Sequence, residues 1–283
     1  MRALRAWFIL GRVSNLPTVW TNVLAAWVLT GGPLTWSAQL AWLLLGVSLL
    51  YVGGTTMNDF ADAAFDREYR KERPIPSGIL SRATVGFAGA LYILTGALAV
   101  MLGAHGVWYH LVGLIGAILI YTHCHKRWVG SVFFMGACRL FLSLLAASCL
   151  TTSLSTPVMV HAVCLFGYIV GLTFTARGES RESQGPCWPL ALLGLPFAGA
   201  LYIEQSLLVL VFGGLFLGAV VMSLKTLTQR TDPARIGKAV ALMLAGIALA
   251  DAAFLASHSL AAALLGLVGF ALALLVQRFV PAT

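Results

Sequence analysis

Apolar residues run along this chain in blocks too long for the core of a water-soluble fold. Nearly uninterrupted hydrophobic stretches fall at 14–31, 37–57, 83–102, 106–122, 128–150, 157–176, 187–203, 206–224, 236–255 and 257–277. Each matches the roughly 17–25 residues that a helix needs to cross the hydrocarbon layer. No run alternates polar and apolar positions in the way a membrane barrel strand does, and lipid otherwise admits only helices. The pattern predicts an all-α integral membrane protein. We expect a bundle of nine to ten transmembrane helices forming one domain over 1–283, with the pair at 187–224 the least sharply divided.

Composition strengthens this reading. Of the 283 residues, 59% are hydrophobic and 10% are charged, against about 25% charged in a soluble domain. So few charges cannot cover a water-facing surface, and disorder requires the opposite composition. The 29 glycines suit helices that pack closely in lipid. The net charge of +8, from 18 Lys and Arg against 10 Asp and Glu, would suggest nucleic acid in a soluble protein. Here position matters more than the sum, and we expect no nucleic-acid partner.

Those positions are ordered. Arg2, Arg5 and Arg12 precede the first apolar run. Arg67, Arg70, Lys71, Arg73 and Arg82 lie between the second and third, and Lys126 and Arg127 follow the fourth. Arg177 and Arg181 follow the sixth, Lys225, Arg230, Arg235 and Lys238 the eighth, and Arg278 the tenth. With ten alternating spans all of these share one side, and the opposite turns hold no Lys or Arg. The positive-inside rule then puts both termini and the charged loops in the cytoplasm of a bacterial-type inner membrane. Arg12 breaks the first apolar stretch too early for a cleavable signal peptide. The five cysteines are expected to be free thiols.

Arg139 alone among the basic residues falls in the interior of a span, Lys238 standing at the very start of its run. A charge there is costly and marks a functional site by default; bonding to carbonyls in the bundle interior is the alternative. Asp251, late in a span, either stays wet near the far interface or pairs with a polar neighbour. His123 and His125 beside Lys126 read as solvent-facing loop residues, because alternating positions on a helix point apart.

Five of the ten acids lie within 59–72. Asn58, Asp62 and Asp66 are spaced i, i+4, i+8, one polar stripe on a helix continuing from the second span, with Asp59 at its edge. Like charges one turn apart repel, the more so in a low dielectric. A divalent cation relieves such a cluster, and all-oxygen ligands select Mg²⁺, which completes its shell with water and substrate phosphates. Neutralisation of these acids by the basic residues that follow is the plainer reading. Next comes Glu72-Arg73-Pro74-Ile75-Pro76-Ser77-Gly78, where two prolines and a glycine enforce a turn.

The acid spacing and this turn together resemble the first aspartate-rich motif and following loop of the UbiA-type intramembrane prenyltransferases. Arg12-Val13-Ser14-Asn15-Leu16-Pro17 resembles the family's entry to its first helix. Tyr121-Thr122 with Lys126-Arg127 resembles its basic loop after the fourth, and Gly136 and Arg139 resemble positions on its fifth. The resemblance implies a helical bundle, usually of nine spans, around a central cavity with two acidic cytoplasmic loops. It implies Mg²⁺-dependent transfer of an isoprenyl group from its diphosphate to an aromatic or other lipophilic acceptor in the membrane. Asn58, Asp59, Asp62 and Asp66 would then hold metal, and Arg73, Lys126, Arg127, Arg139 and Arg177 the diphosphate. Asp62, Asp66, Lys126 and Arg127 would carry the catalysis.

The second motif departs from the family. Where the family has aspartates after its sixth helix, this chain has Arg177-Gly178-Glu179-Ser180-Arg181-Glu182. Glu179 and Glu182 would replace two metal ligands at i, i+3, or be neutralised by Arg177 and Arg181. This replacement resembles that of UbiA-like proteins from bacterial ebo gene clusters, and implies a second reading: a non-catalytic protein that binds or helps export a lipophilic metabolite.

Overall fold

The computed structural model describes residues 2–178, 188–228 and 233–282. Among these there is no strand, and twelve α-helical segments follow one another: α1 Arg2–Leu10, α2 Leu16–Leu29, α3 Ala38–Tyr69, α4 Arg82–Leu98, α5 Trp108–Cys124, α6 Ser131–Ser148, α7 Thr156–Gly178, α8 Trp188–Leu192, α9 Leu195–Ile203, α10 Leu207–Thr228, α11 Pro233–Leu255 and α12 Leu260–Gln277. Each of the ten apolar runs folds as helix. Seven helices are long and apolar enough to span a membrane. The other three runs give shorter pieces: α2, α5 and the pair α8–α9, which is broken between Leu192 and Leu195.

Helix α3 sets up the site. The Ser37 side chain caps its start by accepting the Leu40 N–H at 3.1 Å. It then runs unbroken for 32 residues, about 48 Å. That exceeds the roughly 30 Å hydrocarbon layer, so one end stands at the membrane margin, and the acidic turns occupy that end. It stops at Tyr69, before the turn that contains Pro74 and Pro76. Gly78 closes this turn at φ +76°, a left-handed conformation that favours glycine.

Helices α3 and α4 touch backbone to backbone. A Cβ placed on Gly96 would lie 2.7 Å from the Gly46 carbonyl oxygen, so neither position admits a larger residue without separating the helices.

Helices consecutive in the chain, α3–α4, α5–α6, α6–α7, α10–α11 and α11–α12, are packed neighbours. Helix α2 occupies the middle of the bundle, against α3, α6, α7, α11 and α12. One apolar cluster joins α2, α3, α5 and α6 through Trp27, Leu43, Leu50 and Leu145. Another joins α7, α10 and α11 through Tyr168, Phe216 and Ile247.

Candidate functional site

The polar stripe of α3 meets a cavity of about 270 Å³ at Asn58, its first residue. Asn58 lines this cavity with Arg12, Tyr51 and Arg139, against a largely apolar wall that includes Val47, Leu50, Leu114 and Ile247. Asn58, Asp59 and Asp66 are buried, at 8%, 3% and 3% exposure.

Asp62 is the hub. Its Oδ2 receives the Asn58 amide at 3.5 Å, His125 Nε2 at 3.2 Å and Lys126 Nζ at 3.2 Å. Lys126 reaches on to Asp66 Oδ1 at 4.0 Å and lies 3.4 Å above the Phe65 ring. The loop after α5 therefore folds its cations onto the α3 acids, which joins Asp62, Asp66 and Lys126 in one group. Arg127 is exposed beside them.

His125 corrects the sequence reading. It faces the acids rather than solvent, with a side chain 13% exposed, and its other ring nitrogen meets the Thr122 carbonyl at 3.1 Å. Both ring nitrogens thus lie within hydrogen-bond distance of an oxygen. His123 is exposed, as expected.

Asp59 stands apart from the stripe. Both its oxygens lie 3.1 Å from Arg73 Nη1, and Arg12 Nη2 approaches at 3.6 Å. Arg12 adopts a left-handed backbone, φ 42°, which costs an L-residue roughly 1–2 kcal/mol. Its side chain is among the groups that neutralise Asp59. The turn carrying Arg73 is thereby fastened to α3, and Arg82 adds a bond from Nε to the Phe60 carbonyl at 3.2 Å.

The oxygens left over decide whether a hard cation fits. Asn58 Oδ1 and Asp66 Oδ1 are buried without a hydrogen-bond partner. Leaving such acceptors unsatisfied costs about 1–3 kcal/mol each, and a divalent cation with water would satisfy both. Among the described residues no three His, Cys, Asp or Glu side chains converge on one point. Mg²⁺ held here would draw on one or two carboxylates and the Asn58 amide oxygen, and would need water and substrate phosphates to complete its shell. Glu179 and Glu182 lie outside the described residues, as does the side chain of Arg177.

Deeper in the bundle lies a second polar group. Arg139 Nη1 and Nη2 donate to the carbonyl and hydroxyl oxygens of Thr18, each at 2.8 Å. One turn along α2, the Thr21 hydroxyl meets Asp251 Oδ2 at 2.6 Å. Asp251 Oδ1 meets His161 Nε2 at 2.9 Å, and both side chains are 0% exposed. Asp251 thus takes the paired alternative, and the bonding of Arg139 to a carbonyl is realised while it also lines the cavity. His161 and the two threonines escaped the sequence reading. The i, i+3 spacing of Thr18 and Thr21 was the available signal, and His161 had none. The described cysteines, Cys124, Cys138, Cys149 and Cys164, are free thiols, as expected.

The sequence model of the UbiA prenyltransferase family matches residues 18–236. The chain belongs to this family. A 4-hydroxybenzoate octaprenyltransferase of Cupriavidus metallidurans is 31% identical over 115 residues, 39% of this chain and 37% of that protein. A digeranylgeranylglyceryl phosphate synthase of Methanoregula boonei is 31% identical over 140 residues, 49% of this chain and 48% of that protein. The match thus spans less than half the length of either relative. The fold extends further. A solved structure concerning digeranylgeranylglyceryl phosphate synthase in membranes superposes with TM-score 0.64 at 16% identity, over 90% of this chain and 98% of its own. The apo structure of a UbiA homologue from Aeropyrum pernix K1 gives 0.65 at 16% identity, over 88% and 98%. The UbiA bundle is therefore the fold of this integral membrane protein.

Proposed function

We propose that the protein transfers an isoprenyl group from its diphosphate to a lipophilic acceptor within the membrane, as one membrane domain with its acidic end and termini in the cytoplasm. The observation that carries this reading is the stripe Asn58–Asp62–Asp66, with two unsatisfied oxygens, at the end of an apolar cavity in a UbiA-family chain. Both curated relatives are named for enzymes that handle prenyl-type groups.

In this reading Asn58, Asp62 and Asp66 hold Mg²⁺. Bound there, the cation would supply positive charge against the departing diphosphate. Lys126 and His125 leave the acids to meet the diphosphate oxygens together with the exposed Arg127, and Arg73 and Asp59 keep the turn in place beside them. The allylic C–O bond breaks with its electron pair going to the diphosphate. The acceptor's nucleophilic atom bonds to the allylic carbon and gives up a proton. The apolar wall excludes water, which would otherwise capture the carbocation.

The experiment is transfer by purified protein in detergent with Mg²⁺, radiolabelled prenyl diphosphates of several lengths and a membrane lipid extract. A new labelled lipid and released diphosphate are expected. Absence of both with every donor would overturn the reading. The sequence of 177–182, with arginines among its glutamates and no aspartate, favours the second reading: binding or export of a lipophilic metabolite without transfer. Specific retention of an extract component by a chain that releases no diphosphate would support it.

A further inference from the structure

Helix α1 divides its residues among three faces. Ala6 and Leu10 are buried, and Leu10 joins Ala63, Ile75 and Val85 in a small apolar cluster. Leu4 and Phe8, one turn apart, are 60% and 45% exposed. Arg2, Arg5 and Ile9, at i, i+3 and i+7, share a third face and line a cleft of about 510 Å³. The turn after α3 supplies the other wall, with Arg70, Glu72, Arg73 and Ile79. The cleft and the central cavity have no lining residue in common.

The charges around this cleft do not balance. Arg73 is held by Asp59. Arg2, Arg5 and Arg70 are exposed, and none of the three forms an ion pair among the described residues. Glu72 is the one acid in the lining. Two separate segments of the chain thus bring free guanidinium groups to one concavity, where an anion would relieve their repulsion. The planar guanidinium fork matches phosphate oxygens.

The surroundings select the source of that phosphate. Ile79 in the cleft is 43% exposed, and Phe279, two residues before Pro281 of its lining, is 68% exposed. With Leu4 and Phe8 they put large apolar groups beside the arginines, at the end of the bundle where α3 reaches the membrane margin. A helix with cations on one face and apolar side chains on another lies in the interface, its apolar side chains in the acyl layer. A free phosphate would answer the charge and leave those side chains in water. A lipid answers both.

We propose that the cleft between α1 and the turn after α3 binds the phosphate of an anionic phospholipid, whose acyl chains lie in the layer that takes up Leu4, Phe8 and Phe279. The site is separate from prenyl transfer and holds with or without it.

The test is retention of tritiated dioleoyl phosphatidylglycerol or dioleoyl phosphatidylcholine by the full chain, immobilised in neutral detergent. Phosphatidylglycerol is expected to be retained about tenfold over phosphatidylcholine. The double variant Arg2→Gln/Arg5→Gln should abolish most of this preference. Arg67→Gln/Lys71→Gln removes the same charge from residues that do not line the cleft, and should keep it. No preference in the wild-type chain, or an equal loss in the two double variants, overturns the inference, the second outcome because attraction in bulk then suffices. Displacement of the lipid by millimolar inorganic phosphate overturns the lipid as occupant. Should Arg2→Gln/Arg5→Gln not fold, Arg70→Gln removes a cation from the other wall. It is expected to lower the preference several-fold, and an unchanged preference overturns the inference.

Discussion

Two sets of polar and charged groups in this bundle are built in opposite ways. At the end of α3, the acids meet a lysine and a loop histidine over 3.2–4.0 Å, and two oxygens have no hydrogen-bond partner. In the bundle centre, Asp251 is closed by contacts of 2.6 and 2.9 Å with no exposure at either Asp251 or His161. The first arrangement exchanges partners more readily than the second, because its lysine side chain is 29% exposed and reaches water, which screens its pairs. The second is committed, because breaking it strands buried polar atoms without partners in low dielectric. A site that must admit and release a highly charged ligand calls for the first kind. A scaffold that must hold a 14-residue helix, α2, in the middle of a bundle is served by the second.

The largest effect should come from the closed set. Asp251→Ala is expected to destabilise the protein by about 3–5 kcal/mol, read as the free energy of unfolding in an SDS titration. A loss below about 1 kcal/mol would show that the centre is not committed. Asp62→Ala should do the reverse, lowering prenyl transfer by about 100-fold or more while unfolding changes by less than for Asp251→Ala, about 1.5–3 kcal/mol. Retained transfer at the wild-type rate would remove Asp62 from the chemistry. Thr21→Val removes a hydrogen bond to a charged group and should cost about 1.5–3 kcal/mol. A double-mutant cycle with Asp251→Asn should show coupling, and simple additivity would mean the two do not act together. The smallest effect should come from salt. At about 1 M NaCl the screening length is near 3 Å, so KM for the prenyl diphosphate should rise several-fold while the destabilisation by Asp251→Ala stays the same. Equal salt sensitivity of the two would erase the distinction.

The two sets also differed in how far they could be read from the chain. Asn58, Asp62 and Asp66 belong to one helix, so their common face follows from 3.6 residues per turn once the helix is known to continue past the apolar run. The central set draws on four helices: Thr18 and Thr21 on α2, Arg139 on α6, His161 on α7 and Asp251 on α11. Contacts across as many as 230 positions, as between Thr21 and Asp251, leave no periodic trace. Asp59 shows the same limit at close range. Spacing put it at the edge of the stripe, while the fold turned it to Arg73 and Arg12.

By itself the chain determined the solvent it folds in, the helices and the acidic stripe. These depend on run length, composition and local periodicity, which are properties of consecutive residues. Only the tertiary structure decided which charges answer one another. It brought His125 and Lys126 onto Asp62, pinned Arg73 to Asp59, closed Asp251 with Thr21 and His161, and left Arg139 facing the cavity with Thr18 behind it. The reason is electrostatic: in a low dielectric a charge is settled by whatever lies within a few ångströms of it, and that distance is fixed by packing between helices.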